Sequence, residues 1–518
     1  MEDASNHYDV IIVGAGPAGC ALAHSLSLIR SASPSSSKSN PPPPLRIALI
    51  ERSLSIPNRI VGELLQPGGL AALEEMGLGW TVNDIDSQPC YGYCVLYDGK
   101  QVHIPYPGAR EGRSFHHGPF VMQLRKAAQK ARGVTVMEAT ALDLIYQPGT
   151  SRAIGVRVNR KGDASDPKAA STTISQPLYA ELVIAADGGA SKFRSVLTPS
   201  SPASSSSSSS SSPRAPSVKS QFYAAILKHA PLPLKHHGTV SLVHGSGPVL
   251  MYQIDSTETR MLADISLPLP RDPKAYLLER VVPQLQGELG PCVVEALADD
   301  ERLKSMPNSF LPAQMQGMHG CPEGVILIGD AWNMRHPLTG GGMTVAFNDV
   351  LYLTKALTPL LEYPSSHISD TTYAPIEPLH LDWDDVRDAI RGWHWTRKSL
   401  TSTINILSVA LYDLFGADDE DLAILRAGCF AYFELGGACV DEPAALLAGI
   451  AHSPALLARH FFTVAFYAIW VYWKSAGVDA KDGGRKADSL PVMVWRSFSF
   501  WTAVVVFGPL VWSEIRWW

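Results

Sequence analysis

Three glycines in the run Gly14-Ala15-Gly16-Pro17-Ala18-Gly19, spaced G-x-G-x-x-G, have the types and spacing to cradle a diphosphate. Glycine permits a tight turn, lets a pyrophosphate approach the backbone and lets a helix pack closely on a strand. A helix starting there offers free N–H groups and the positive end of its dipole to the anion. Such a turn expects an acidic residue about 20 positions on, to hold a ribose hydroxyl. Glu51 lies 32 positions beyond Gly19, or 18 once the fourteen residues of the serine- and proline-rich stretch 31–44 are set aside. Alone, the glycine pattern also fits a turn with no ligand. Two later segments narrow the choice. Asp187-Gly188-Gly189-Ala190-Ser191-Lys192-Phe193-Arg194 closes an apolar strand, and Gly329-Asp330-Ala331 follows the apolar 325–328 and leads into His336-Pro337-Leu338-Thr339-Gly340-Gly341-Gly342-Met343. In the second, a strand delivers an aspartate to a ribityl-type hydroxyl, and a glycine run starts a helix close under the ring and phosphates. The three in this order point to FAD.

Those residues meet only if strands and helices carry them to one place. The apolar 8–13 reads as a strand before the glycine turn and 20–29 as the helix after it. Residues 45–50 and 182–186 read as further buried strands. A chain of 518 residues implies two or three coupled domains. With 43 basic against 49 acidic side chains it has no excess of positive charge for a nucleic-acid backbone. Seven cysteines without a C-x-x-C pair fit neither a disulfide framework nor a zinc site and read as reduced thiols facing the cytosol. The acidic Met1-Glu2-Asp3 start, running directly into the first strand, argues against a secretory signal. Serine and proline tracts at 31–44 and around 204–212 bury too little apolar surface to order themselves and read as solvated insertions.

The C-terminal part differs. Uncharged runs occupy 461–473 and 497–512, and seven of the twelve tryptophans fall from Trp470 onwards. As helices these runs reach about 20 and 24 Å, short of the roughly 30 Å hydrocarbon core. They read as dipping into one leaflet, bracketed by Arg459, Lys474, Arg496 and Arg516, with two buried helices of a soluble bundle as the alternative.

Four stretches carry a more specific likeness: 59–69 (RIVGELLQPGG), 115–118 (FHHG), 305–312 (SMPNSFLP) and 333–344 (NMRHPLTGGGMT). Through them the chain resembles the flavoprotein monooxygenases of the aromatic-hydroxylase fold, and within these the squalene monooxygenase (squalene epoxidase) family, over nearly its whole length. It departs in its two low-complexity insertions and in lacking the N-terminal anchor helix that some members carry. The implied architecture is α/β, a Rossmann-like FAD-binding domain with an interleaved β-sheet substrate domain and a C-terminal helical, membrane-associated region. The expected divisions are 1–145 for the FAD-binding part, 146–315 mainly for the substrate sheet with an insertion at 199–216, 316–380 for the return to the FAD domain, and 381–518 for the helical region.

The resemblance also assigns roles. Gly14, Gly16, Pro17, Ala18 and Gly19 would meet the FAD pyrophosphate, Glu51 and Arg52 the adenosine ribose, Ala141 the adenine, Arg59 and Arg125 the phosphate and ring, and Asp330 with Met343 the ribityl and isoalloxazine end. Leu64 would lie close to the flavin. Gln66 and Tyr93 would be the polar, catalytic pair beside the substrate channel, with Tyr252 lining the same pocket; a tyrosine in an apolar strand also fits a core residue with a satisfied hydroxyl. The implied reaction is epoxidation of squalene to (S)-2,3-oxidosqualene by a hydroperoxide formed from O2 on reduced flavin, in sterol biosynthesis, with no metal. NADPH would be the indirect electron source through a separate NADPH-dependent diflavin reductase, since no second glycine motif in a strand-turn-helix context is visible. The implied location is the endoplasmic reticulum membrane, monotopic, with membrane lipid contacted by the C-terminal helices and the catalytic domain facing the cytosol. Two other readings stay open. A self-sufficient NADPH-dependent aromatic or polyketide hydroxylase has no use for the apolar C-terminus. A prenyl-protein-binding module of related fold would have a degraded 329–330 site.

Overall fold

The computed structural model of the chain describes residues 6–30, 43–161, 173–197, 215–298, 303–362, 379–416 and 420–482, together with 491, 493, 494 and 497. Most of both expected insertions, and nearly all of the second apolar run at 497–512, lie outside the described residues.

The first sheet is built on continuous apolar strands, buried on both faces as parallel strands must be. His7–Val13 pairs in parallel with Ile47–Glu51 on one side and with the second half of Thr173–Ala185 on the other. Val134–Glu138 extends the sheet beyond Ile47–Glu51, and Val325–Leu327 pairs in parallel with Val183–Ala185. The first half of Thr173–Ala185 instead pairs antiparallel with Ala153–Lys161, which continues to Thr140–Tyr146. This divided pairing makes that strand thirteen residues long where its apolar signature covers five. Its outer half faces a hairpin, where one side can stay polar. The helices Pro17–Leu28 and Gly341–Leu361 pack together against this sheet and fill its core.

The second sheet has the order Lys304–Phe310, Ser217–Lys228, Glu258–Ser266, Val249–Gln253, Gly238–Ser241, Gly92–Tyr97, Lys100–Pro105. A small third sheet joins Leu64–Leu65, Gly112–Ser114 and Gln88–Cys90 between the two. The division expected at 145 does not separate the two sheets, whereas 315 falls between Lys304–Phe310 of the second sheet and Val325–Leu327 of the first. Residues 92–105 belong to the second sheet and 153–185 to the first, because hydrogen-bond ladders, not chain continuity, decide sheet membership.

The helices Trp383–Gly416, Glu420–Glu434, Ala438–Leu447 and Pro454–Asp482 close the molecule. Trp383–Gly416 is fixed to Gly341–Leu361 by a buried bidentate pair, Arg397 Nε to Asp349 Oδ1 at 2.6 Å and Nη2 to Oδ2 at 2.7 Å. The Arg397 guanidinium also lies 4.3 Å from the Trp332 ring. The apolar run 461–473 is the middle of a 29-residue helix, and its segment Pro454–Lys474 is long and apolar enough to cross a membrane, with a mean hydropathy of 1.3.

Candidate active site

The glycine turn has the shape its spacing predicts. Gly14 has φ +106°, and a Cβ there would stand 2.4 Å from the Ala186 carbonyl oxygen. A Cβ on Gly19 would stand 1.9 Å from the Gly14 carbonyl oxygen, so the helix packs against the turn only because Gly19 has no side chain. Gly16 meets nothing within 4 Å. Its open face lies at the start of Pro17–Leu28, which no side chain caps and whose first turn holds no acid.

Charged groups brace this turn from behind. Glu51 Oε2 accepts the Ala15 N–H at 2.8 Å, and Arg125 Nε donates to the Ala15 carbonyl at 3.0 Å. Arg125 also donates to the Ser55 carbonyl at 3.0 Å and lies 3.8 Å from Glu51. It is buried, so its contacts to backbone decide its place. Gly329, with φ +60°, brings the Gly329–Ala331 turn against Ala18 and leaves the Asp330 side chain exposed. Arg194, on the far side, donates to the carbonyls of Gly189, Asp330 and Ala331 at 2.5, 3.0 and 2.9 Å, tying the 187–189 turn to the 329–331 turn. Asp187 Oδ1 is buried with no partner, and burial pushes that carboxyl up. An open face at Gly16, an uncapped helix start, an exposed aspartate and an orphaned buried oxygen together fit a dinucleotide.

Around the second half of the cleft, Gln66 is the hub. It is fully buried, its Nε2 donates to the Thr339 carbonyl at 2.8 Å and to the Tyr93 hydroxyl, and its Oε1 accepts the Tyr106 hydroxyl at 2.5 Å. The Tyr93 hydroxyl also reaches the Thr339 carbonyl at 3.4 Å, and the Tyr93 and Tyr106 rings meet edge-on at 5.8 Å. Burial pushes both phenols up, so both remain neutral donors. Gly340, left-handed at φ 62°, lets Leu64 and Gln66 lie against the turn that opens Gly341–Leu361. Met343 sits buried in the first turn of that helix.

Above this hub runs one contiguous apolar cluster. It includes Leu64, Tyr93 and Tyr106, crosses Phe222, Leu250, Tyr252 and Leu262 of the second sheet, and ends among Phe415, Phe430, Ala465 and Ala468 of the C-terminal helices. A further cavity of about 660 Å³ is lined by the charged side chains Arg59, Glu63 and Arg260 and by His117, among others.

These contacts bring together Gly14, Gly16, Pro17, Ala18, Gly19, Glu51, Arg125 and Asp330 at one end and Leu64, Gln66, Tyr93 and Met343 at the other. Arg52 is exposed, and Ala141 sits on an outer strand opposite Val158. Arg59 lines that further cavity and makes no ion pair among the described residues. Tyr252 belongs to the apolar cluster, and burial, together with the nearby Glu63 carboxylate, which Arg260 holds in a buried bidentate pair at 2.7 and 2.9 Å, pushes its phenol up. Sequence reasoning did not reach Tyr106 or the Thr339 carbonyl. Their only signal is proximity created by folding, since 40 and 273 positions separate them from Gln66.

Residues 179–481 match the model of the family described as squalene epoxidase. The chain belongs to the squalene epoxidase family. A squalene epoxidase of Aspergillus fumigatus is 39% identical over 98% of this chain and 94% of its own length. A squalene monooxygenase of Mus musculus is 36% identical over 98% of this chain and 78% of its own. Among solved structures, p-nitrophenol 4-monooxygenase of Pseudomonas putida aligns with a TM-score of 0.61 at 14% identity, covering 86% of this chain and 99% of that one. A probable FAD-dependent monooxygenase of Pseudomonas aeruginosa aligns with a TM-score of 0.57 at 20% identity, covering 82% of this chain and 100% of that one.

Proposed function

We propose that the protein is a squalene monooxygenase: an FAD-dependent enzyme that inserts one oxygen of O2 across a terminal double bond of squalene to give (S)-2,3-oxidosqualene at the start of sterol synthesis. The observation that carries this reading is the unbroken apolar cluster between the Gln66–Tyr93 hub and the C-terminal helices. A hydrocarbon has no polar handle, so its affinity must come from burial, at roughly 25 cal/mol per Å² before ordering costs. Bound FAD supplies the electron transfer to dioxygen and the electrophilic oxygen.

The chain's own residues do the rest. Gly14, Gly16, Pro17, Ala18 and Gly19 hold the diphosphate, Glu51 and Arg52 the ribose, Ala141 the adenine and Asp330 the ribityl chain, with Arg59, Arg125, Leu64 and Met343 around the phosphate and ring. Gln66 and Tyr93 form the wall where the reacting double bond arrives, and Tyr252 lines the channel beyond. The wall is held in place because both donors of the Gln66 carboxamide and one acceptor position of its oxygen are engaged.

The aromatic side chains Phe462, Phe466, Trp470 and Trp473 recur at helical spacing and are 47, 59, 54 and 40% exposed, an outward stripe suited to lipid. This supports contact with a membrane; on our reading the protein is monotopic in the endoplasmic reticulum membrane, with its catalytic part in the cytosol and its channel open to the bilayer. NADPH serves as the indirect electron source through a separate diflavin reductase. The deciding experiment supplies squalene and NADPH to detergent-purified, FAD-loaded protein with and without an active diflavin reductase. Oxidosqualene only in the presence of the reductase is the expected result. Its absence in both arms would move the reading to hydroxylation of a smaller substrate.

A further inference from the structure

His336 is buried at 5% exposure, stacked on the Tyr412 ring at 4.5 Å and edge-on to Phe222 at 5.4 Å. Its Nδ1 accepts the Leu338 N–H at 3.2 Å. A backbone N–H can only donate, so Nδ1 carries a lone pair and the ring proton sits on Nε2. That nitrogen faces the Ser220 hydroxyl at 3.2 Å and the Asp264 carboxylate at 3.6 Å. Asn308 holds both acceptors, donating to Ser220 Oγ at 3.1 Å and to Asp264 Oδ1 at 2.9 Å. Four elements thus converge to fix one tautomer of one imidazole.

What that imidazole fixes is the Pro337–Thr339 turn. The Leu338 N–H it receives belongs to the residue before Thr339, whose carbonyl receives Gln66 Nε2 and the Tyr93 hydroxyl. Gly340 then starts the helix that carries Met343. From these links we propose that His336, held as the Nε2–H tautomer by Ser220 with the Asp264 carboxylate 3.6 Å away, is the positioning residue that sets the Thr339 carbonyl and through it the Gln66–Tyr93 wall. The inference rests on the reading of that wall as the substrate side of the site.

The test compares His336→Asn, His336→Gln and the unaltered protein. An Asn carboxamide oxygen falls near the place of Nδ1 and, ahead of Pro337, is a favoured acceptor for the Leu338 N–H. A Gln carboxamide reaches toward Ser220 and Asp264 and leaves that N–H without an acceptor. We expect His336→Asn to keep kcat within about threefold, and His336→Gln to lose about tenfold or more in kcat with KM for squalene nearly unchanged, the pattern of lost positioning and not of lost binding. Hydrogen exchange gives a readout without turnover, since peptides covering 336–343 should gain a fast-exchanging amide in His336→Gln and not in His336→Asn. Equal kcat and equal exchange in the Gln variant and the unaltered protein would overturn the proposal, as would an Asn variant as impaired as the Gln variant. Should His336→Gln fail to fold, Ser220→Ala removes the Nε2–H acceptor together with one of the two acceptors of Asn308, which keeps Asp264, and is expected to give a smaller loss of the same kind; no loss would overturn the proposal. If the unaltered protein makes no oxidosqualene, the functional reading fails while the exchange comparison still decides the link from His336 to the turn.

Discussion

Replacing Gln66 with leucine tests the hub most directly. The carboxamide makes three hydrogen bonds in a fully buried position, two from Nε2 and one to Oε1. Leucine has a similar volume but serves none of them. The Tyr93 hydroxyl keeps the Thr339 carbonyl, 3.4 Å away, so neither group is stranded. Tyr106 loses its 2.5 Å acceptor and keeps only the Cys90 sulfur at 3.9 Å. Two hydrogen bonds lost at about 1 kcal/mol each and one buried hydroxyl orphaned at about 1–3 kcal/mol give roughly 3–5 kcal/mol of destabilisation. That is a large share of a typical folding stability. An unfolding entropy of about 2 cal/mol/K per residue makes 1 kcal/mol worth about 1 °C in a chain of 518 residues, so the melting temperature of the purified protein should drop by roughly 3–5 °C. Adding Tyr106→Phe removes the orphan, so the double variant should recover about 1–2 kcal/mol of the loss. A Gln66→Leu protein that melts within about 1 °C of the unaltered one would refute the reasoning, and so would a double variant less stable than Gln66→Leu alone.

Three further outcomes follow from the geometry. Gly16→Ala finds empty space and should leave the melting temperature of the flavin-free protein unchanged while weakening FAD binding by about tenfold or more, whereas Gly19→Ala collides with the Gly14 carbonyl and should not fold; FAD titration beside thermal melts separates the two, and unchanged FAD affinity in Gly16→Ala would remove the turn from the cofactor site. Burial lowers His117 and His394 from the ordinary 6.5 to about 4, so the folded protein binds fewer protons than the unfolded chain between those values. Stability contributed by these rings is fully present above about pH 6.5 and is lost as pH falls toward about 4, by up to roughly 3 kcal/mol per ring, and denaturant unfolding across that window should show a slope that shrinks in His394→Gln. On the exposed face of Pro454–Asp482, Phe466→Ser with Trp470→Ser removes roughly 1–2 kcal/mol of apolar burial per residue, so liposome partitioning should fall about tenfold or more without a change in melting temperature; undiminished co-sedimentation would exclude that face from the contact.

The diphosphate end of the site is local, and the sequence by itself determined it. Strand, glycine turn and helix are consecutive in the chain, and the steric demand on Gly19 comes from Gly14, five positions away, although the demand on Gly14 comes from Ala186 at the end of a distant strand. Glu51 and Asp330 were equally legible because each closes a buried strand beside that turn. The apolar run at 461–473 was legible too, although the helix around it is longer, since the ends of a helix depend on capping and packing more than on hydropathy. Tertiary structure decided the rest. Sheet membership of 92–105 and 153–185 came from ladders between distant segments, which no local pattern encodes. The hub at Gln66 exists only because the Gly340 turn, a strand at 92–97 and Tyr106 arrive at one point, and a carboxamide there is a satisfied hydrogen-bonding center only in that company. His336 makes the same case: its tautomer, and so what it holds in place, is set by Ser220, Asp264 and Leu338, drawn from three separate stretches of chain. Residue type fixes which hydrogen bonds a side chain is able to make, and folding alone decides which of them it does make, because in a buried site the partners must be close-packed and each polar atom satisfied.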